Sequence, residues 1–329
     1  MKEKEQHITS IGGQAIIEGV MMRGPHKTAM AVRKPDGDIV CEVNENGTKK
    51  HNIFLRLPII RGCVNFIESL VVGMKALMFS ADFMDLEDEE AEESKFDKWL
   101  NDKFGDKIKD IVIYVSIAIS LVLSVGLFIL LPSAITGGLE WLFSLFSPLK
   151  NIAQTKAFTG ISEGIIRMFI FILYLALVSK MKDIKRVFEY HGAEHKTIAC
   201  YEAGEELTVE NIKKHSRFHP RCGTSFLLFV MIISIIVFCL LPRFDGYTKI
   251  VQILLRMATR LALLPVVAGL SYEAIKLAGR SKNKCVQLLT KPGLWLQRLT
   301  TREPDESQIE VAIESMKSVI PENSEDDKW

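Results

Sequence analysis

The sequence contains an uninterrupted apolar run, residues 111–131, that constrains the fold more than any other feature. Its 21 residues carry no charged side chain, and as a helix they would extend about 31 Å, the thickness of the hydrocarbon core of a bilayer. Similar apolar segments occur at 164–179, 224–241 and 250–275. The sequence therefore predicts an α-helical integral membrane protein with about four transmembrane helices.

The fourth predicted span differs from the others because it contains charged residues. Arg256 and Arg260 lie in its first half, and Glu273 lies near its end. We expect the arginines to reach one membrane surface and the glutamate the other. Because a carboxylate in a span is costly to bury, Glu273 is a candidate functional residue.

Positive charge predicts the orientation of these spans. The segment 180–223 holds nine Lys and Arg residues, 276–302 holds seven, and 95–110 holds five, whereas 136–164 and 242–249 hold two each. The positive-inside rule then places both termini and the 180–223 loop in the cytoplasm, in a multi-pass protein of the cell membrane. The six cysteines are scattered, as expected for reduced thiols on a cytoplasmic face.

Four regions follow along the chain. Residues 1–50 are predicted to form a cytoplasmic region with β structure. In it, Pro35 to Asp38 predict a hairpin turn, and the segment GGQAIIEGVMMRGP predicts one strand between sharp turns. Residues 51–110 combine an interfacial helix, favoured over a span, with an acidic linker. The membrane domain covers 111–279, and the cytoplasmic tail 280–329 becomes acidic at its end. A short helix is predicted at 309–320, without assigned chemistry.

The loop between the second and third spans carries the pattern H-x-x-E-H, formed by His191, Glu194 and His195. On a helix the two imidazoles lie on one face, close enough to bind one metal ion. The same order occurs in inverzincins, where two histidines bind zinc and the adjacent glutamate can act as general base. Downstream, His219 and Cys222 have the spacing of nitrogen and sulfur ligands. The expected cofactor is a divalent metal ion, and Zn²⁺ is the ion that these ligands favour most.

The remaining ligands of this predicted site are open. His219, Cys222, Glu202 and Glu273 are each candidates for a third ligand. If His219 and Cys222 both bind, the shell closes and the metal is structural, because catalytic zinc keeps one position for water. The alternative without metal is a polar network in which Glu194 and Glu202 pair with nearby Lys and Arg side chains.

The segments GGQAIIEGVMMRGP, RGCVNFIESLVVGMKAL, YHGAEHKTIACYE and HPRCGTSF, in this order and with these spans, resemble the bacterial YqhQ family. The resemblance covers about residues 11–280 and leaves out the acidic linker and the tail. Members of that family are described as multi-pass membrane proteins and predicted metal-dependent enzymes. The resemblance thus implies a membrane protein with metal-dependent chemistry.

Three functions compete on this basis. In a metal-dependent membrane hydrolase, Glu194 deprotonates a bound water and Arg221 or Arg23 stabilises the developing anion. In a non-enzymatic interaction factor, the loop is a rigid platform for other membrane proteins. In a transporter, Arg167, Arg256, Arg260 and Glu273 line the pathway. Glu18 and Arg23 form either an ordinary salt bridge or a support for the loop.

Other classes of function are disfavoured. Basic and acidic residues number 41 and 40, so the net charge of +1 gives no bias towards nucleic acid. The sequence contains no G-x-x-x-x-G-K or G-x-G-x-x-G motif, which argues against nucleotide-driven chemistry. The expected partners are therefore the lipid bilayer and other membrane proteins.

Overall fold

A computed structural model describes residues 7–47, 55, 57–84, 108–146, 151, 155–241, 244, 246–280, 283–323 and 326–328. Most of the predicted acidic linker lies outside these residues. The strands are β1 (Gly12–Ile16), β2 (Gly19–Arg23), β3 (Lys27–Arg33) and β4 (Ile39–Glu45). The helices are α1 (Ile60–Asp82), α2 (Ile108–Val125), a π-helical segment (Gly126–Leu130), α3 (Leu131–Ser144), α4 (Lys156–Val178), α5 (Lys182–Glu202), α6 (Val209–Lys214), α7 (Gly223–Cys239), α8 (Lys249–Arg280), α9 (Lys284–Thr300) and α10 (Glu306–Val319).

The four strands form one antiparallel sheet in the order β1-β2-β3-β4. The predicted hairpin at Pro35 to Asp38 is confirmed as the connection between β3 and β4, where the Lys34 N–H donates to the Asp38 carbonyl at 2.9 Å. Gly37 has a φ of +94° there, a conformation that glycine adopts without steric cost.

The segment GGQAIIEGVMMRGP forms two strands rather than the single strand predicted. β1 and β2 pair across a two-residue turn at Ile17 and Glu18. The usual Asn-Gly signal of such a turn is absent, and Glu18 itself takes the left-handed conformation with φ of +48°. Arg186 of α5 binds the Glu18 carboxylate through two nitrogens, which holds the turn from outside the strand sequence.

The chain divides into two compact units, and the first comprises residues 1–85, 175–230 and 265–329. One face of its sheet packs against α5 and α10, with Val20, Met22, Tyr190, Ile309 and Met316 fully buried. The other face packs against α1 through Ala76, Val72 and Phe79. The sheet is therefore covered on both faces by helices.

Helix α10 confirms the helix predicted at 309–320. Asp305 caps its N-terminus in a capping box with Gln308, which satisfies the free N–H groups of the first turn. Ile309, Ala312, Ile313 and Met316 recur at helical spacing and are buried against the sheet and α5. The tail is thus part of the core of the first unit.

The second unit comprises residues 86–174 and 231–264. Its polar core joins Glu163 of α4 to Arg260 of α8, whose Nη2 donates to Glu163 Oε2 at 2.5 Å. Arg167 donates to the same carboxylate at 3.0 Å, and its Nε–H donates to the Phe128 carbonyl at 2.9 Å. Phe128 lies in the π-helical segment, where the altered backbone register leaves carbonyls available to side chains.

Four helical stretches are long and apolar enough to cross a membrane, and they differ in part from the predicted spans. They are Ile60–Asp82, Val115–Ser144, Ala157–Val178 and Val251–Leu277, with Gly223–Cys239 as a shorter apolar helix. By length and composition α1 therefore qualifies as a span, although its sequence predicted an interfacial helix. The protein is a mostly helical, multi-pass membrane protein with a small N-terminal β-sheet.

Candidate metal centre

Helix α5 positions the H-x-x-E-H residues, as its sequence predicts. His191 and His195 lie one turn apart, with ring centroids 4.4 Å from each other. Cys222, 31 residues after His191, is brought to the same point immediately before α7. Each of the three side chains offers one ligand atom, a ring nitrogen or Sγ, and these atoms all lie within 4.8 Å of one another. Tetrahedral zinc with these ligands requires N to S separations of about 3.5 Å.

Both imidazoles are held by backbone carbonyls on the side away from Cys222. His191 Nδ1 lies 2.8 Å from the Thr300 carbonyl oxygen, and His195 Nδ1 lies 2.6 Å from that of Arg217. A carbonyl oxygen can only accept, so each Nδ1 carries the hydrogen and each neutral ring keeps its lone pair on Nε2. This arrangement is the usual support of metal-binding histidines. Burial also lowers the pKa of His195, which favours the neutral ring.

Cys222 completes the three-residue group. Its Sγ lies 3.2 Å from His191 Nε2 and accepts the Thr224 N–H at 3.4 Å, in the first turn of α7. The Cys222 sulfur therefore lies at the N-terminus of α7, next to the ring of His191. We define His191, His195 and Cys222 as the His-Cys cluster.

Glu194 is buried beside the His-Cys cluster. Its side chain packs against Gly13, while Oε2 is buried without a hydrogen-bond partner in the part of the chain that the structure describes. Burial raises the pKa of Glu194 to about 7, although the neighbouring His191 and the Gly13 N–H act in the opposite direction. Glu194 is therefore a poorly solvated carboxyl group with one free oxygen.

The His-Cys cluster opens into a cavity of about 430 Å³. Its walls come from β1, α5 and the first turn of α7, and they include Gly13, Phe188, Glu194, Arg221 and Leu227. This volume falls in the range of pockets that bind small molecules or short chain segments. The cluster is consequently open to a ligand on one side.

His219 and Arg221, two predicted site residues, contact Glu202 in the structure. His219 Nε2 lies 3.4 Å from Glu202 Oε2, Arg221 donates to Oε1, and the Thr9 N–H donates to Oε1 at 3.0 Å. Burial opposes ionisation of Glu202, but His219 and Arg221 outweigh it and hold its pKa below the ordinary value. His219 is thus used by this network, although its ring is 5.7 Å from that of His195.

The other predicted site residues lie elsewhere in the first unit. Glu273 accepts two hydrogen bonds from Arg61 of α1, at 2.7 Å and 2.5 Å. Arg23 lies 3.9 Å from Glu68 on the α1 side of the sheet, beside a separate cavity of about 320 Å³. Glu18 binds Arg186 and the Tyr190 hydroxyl. These three residues are not part of the His-Cys cluster.

Sequence reasoning did not identify two features of the site. The first is Gly13, whose backbone contacts Glu194 and whose role has no signal beyond the pair of glycines. The second is a further group of potential ligands, Cys200, Glu205 and His215, whose ligand atoms also lie within 4.8 Å of one another. In this group His215 Nε2 lies 3.2 Å from Glu205 Oε2.

Comparison with known proteins identifies a family. A family model described as "Protein of unknown function (DUF1385)" matches residues 57–322. The chain is 36% identical over 315 residues to the uncharacterized protein YqhQ of Bacillus subtilis strain 168, an alignment that covers 94% of this chain and 92% of the relative. No solved structure matches.

Proposed function

This chain belongs to the DUF1385 family, the family of YqhQ, and we propose that it is a metal-dependent hydrolase of the membrane. The His-Cys cluster would hold one zinc ion, and Glu194 would act as general base on water in the adjoining cavity. Zinc supplies a Lewis acid that makes a bound water acidic near neutral pH.

The observation that carries the proposal is the orientation of the two imidazoles. Two separate backbone carbonyls, of Thr300 and Arg217, fix Nδ1 of His191 and His195 as donors. Both Nε2 lone pairs are then available to an ion that the Cys222 sulfur also reaches. A merely structural pair of histidines would need a donor for each Nε2, and Cys222 offers at most one S–H.

The number of ligands favours catalysis over a structural ion. Three protein ligands leave the fourth tetrahedral position to water or substrate, whereas structural zinc sites are closed by four protein ligands. His219 could have closed the shell, but it contacts Glu202 instead. Water or substrate would reach an ion held there from the cavity that these residues line.

Glu194 is the group that would accept the proton. Its Oε2 is buried without a partner among the described residues, so it is an acceptor that nothing else there occupies. Burial and packing against Gly13 keep the carboxylate in place beside the His-Cys cluster. Arg221 lines the same cavity but donates to Glu202, so its main task in this proposal is to hold the loop before α7.

The proposal is tested by comparing two glutamate-to-glutamine variants of the purified protein. Glu194→Gln removes the base but leaves the ligands, whereas Glu210→Gln changes an exposed carboxylate at the start of α6. Each variant is loaded with zinc and incubated with blocked peptides and with phospholipid vesicles, and the products are identified by mass spectrometry. We expect Glu194→Gln to keep its zinc and to lose hydrolysis by roughly 100-fold or more, and Glu210→Gln to retain both.

Hydrolysis that persists in Glu194→Gln at the wild-type rate would contradict the proposal. Zinc that stabilises the fold without any hydrolysis by the wild type would instead favour the interaction factor, in which the His-Cys cluster is a structural metal site.

A further inference from the structure

We infer that the free edge of strand β1 binds an extended peptide segment, which lies along the cavity beside Glu194. The inference rests on the proposed hydrolase function in one respect: if the protein is a hydrolase, the bound peptide is its substrate. The binding site itself is argued from the sheet alone.

Strand β1 is an edge strand. In the described sheet it pairs only with β2, in the register Gly12 with Arg23 through Ile16 with Gly19. An edge strand presents backbone N–H and C=O groups that can pair with another chain, and native proteins usually cover or shorten such edges. Recognition of peptides by strand addition uses these groups.

The hydrogen-bond pattern of the sheet shows which residues of β1 face outward. The Gly24 N–H donates to the Lys27 carbonyl at 2.8 Å, so Met22 and Val20, two and four residues earlier, also bond towards β3. Met21 and Arg23 therefore bond towards β1, where their partners are Gln14 and Gly12. Gly13 and Ala15 consequently direct their backbone groups away from β2.

The positions on both sides of Ala15 contact other elements. Gly13 packs against the Glu194 side chain, and the Ile17 N–H donates to Ser80 Oγ at 3.3 Å. Between them, neither the N–H nor the C=O of Ala15 has a hydrogen-bond partner in the described part of the chain. Ala15 is only half-buried and lines the cavity of the His-Cys cluster. Its polar groups are thus open to a ligand.

Space for a fifth strand exists along this edge. The cavity of about 430 Å³ lies beside β1 on the α5 side, and the cavity of about 320 Å³ lies on the α1 side. Ser10, Gly12, Gly13 and Gln14 line both cavities. The two glycines are exposed and have no side chains that would obstruct an incoming backbone.

A peptide paired with Ala15 would extend past Gly13, about 7 Å away along the strand. There it would meet Glu194 and the His-Cys cluster, which line the same cavity. Lipids lack the alternating N–H and C=O groups that match a strand edge. The chemistry of this edge therefore favours an extended polypeptide over a phospholipid.

The test replaces Ala15 by proline. Ala15→Pro removes the outward N–H and fills its place with ring carbons, while the bonds of Gln14 and Ile16 to β2 remain; proline is tolerated in edge strands. The matched control, Ala15→Ser, keeps the N–H. Both changes are made in Glu194→Gln protein, to prevent turnover, and capture of a randomised library of blocked octapeptides is measured by mass spectrometry.

We expect Ala15→Pro to lower peptide capture at least tenfold and Ala15→Ser to change it less than twofold. Equal capture by Ala15→Pro, or no capture by the parent protein, would overturn the inference. If Ala15→Pro does not fold, hydrogen exchange decides instead: octapeptides must slow exchange at Ala15 in the parent protein, and unchanged exchange would overturn the inference.

Zinc content separates this outcome from that of the proposed function. Peptide capture that depends on Ala15 in a protein without zinc would contradict the hydrolase and leave the binding edge intact. Zinc-dependent hydrolysis of vesicle lipid without peptide capture would support the hydrolase and contradict peptide binding at the edge of β1.

Discussion

The two adjacent glycines of β1, Gly12 and Gly13, differ in how closely they approach Glu194. A Cβ built on Gly13 would lie 2.9 Å from Glu194 Cδ and 2.7 Å from the Met21 carbonyl oxygen, whereas one built on Gly12 would have nothing within 4 Å. The two adjacent glycines therefore differ, because only Gly13 packs against Glu194.

We expect Gly13→Ala to lower the free energy of unfolding by about 1–3 kcal/mol, because the new methyl group must displace Glu194 or the strand. Gly12→Ala is the control and should leave stability unchanged or slightly raised. Denaturant unfolding of the two variants in detergent provides the measurement. Similar stability losses in both would show that Gly13 has no special contact.

Glu202 gives a prediction of pH dependence. Its pKa in the folded protein lies below the ordinary value of 4.5, so its stabilising contribution is fully present above the pKa of the unfolded chain and is lost as pH falls through the folded pKa. We expect the stability difference between wild type and Glu202→Gln to shrink as pH drops below about 4.5. Unfolding measured between pH 7 and pH 3 tests this, and a difference independent of pH would contradict it.

Secondary-structure elements explain which parts of the site could be predicted from sequence. The four-residue spacing of His191 and His195 places both rings on one face of α5 through local geometry alone. Cys222 was one of four candidate third ligands, because its approach depends on how the loop before α7 folds. Gly13 was missed, since its contact with Glu194 arises from packing between distant elements.

The same reasoning applies to the fold. The apolar runs predicted membrane helices and the Pro35 to Asp38 signal predicted a hairpin, as observed. The turn at Glu18 was not predicted, because Arg186, which holds it, is 168 residues away. The amphipathic period predicted α10, but only tertiary packing shows that its apolar face covers the sheet.

The stability of the protein should depend strongly on Glu163, which joins α4 to α8. Its carboxylate faces Arg260 and Arg167, so a neutral residue would leave two buried guanidinium groups without a counter-ion. We expect Glu163→Gln to destabilise the protein by about 3–5 kcal/mol. Glu42→Gln, at an exposed position of β4, is the control. Unfolding followed in detergent measures both, and a loss below 1 kcal/mol in Glu163→Gln would refute the role of this ion pair.

At the level of the whole molecule, the core of the first unit restricts membrane topology. The N-terminal sheet, α5 and α10 share one hydrophobic core, so we expect them to lie on the same side of the membrane. The chain would then cross an even number of times between the sheet and α5, where three candidate spans occur. Since α1 packs against the sheet through Ala76, we expect α1 to remain on that surface and α2 to α4 to provide two crossings.

Reporter fusions test this topology. Fusions at the two termini should report the same side of the membrane, the cytoplasm by the distribution of Lys and Arg. A reporter inserted at Tyr247, between α7 and α8, should report the opposite side. Termini on opposite sides would exclude the shared core in the membrane-inserted protein.

The metal content of the purified protein tests the central claim most directly. Elemental mass spectrometry is applied to the wild type and to three variants: Cys222→Ser and His191→Ala in the His-Cys cluster, and the matched control Cys200→Ser in the second group of potential ligands. We predict that Cys222→Ser and His191→Ala each lose about one zinc ion per chain relative to the wild type, while Cys200→Ser retains that ion. Folded wild-type protein without zinc, or zinc retained in both Cys222→Ser and His191→Ala, would contradict the metal centre.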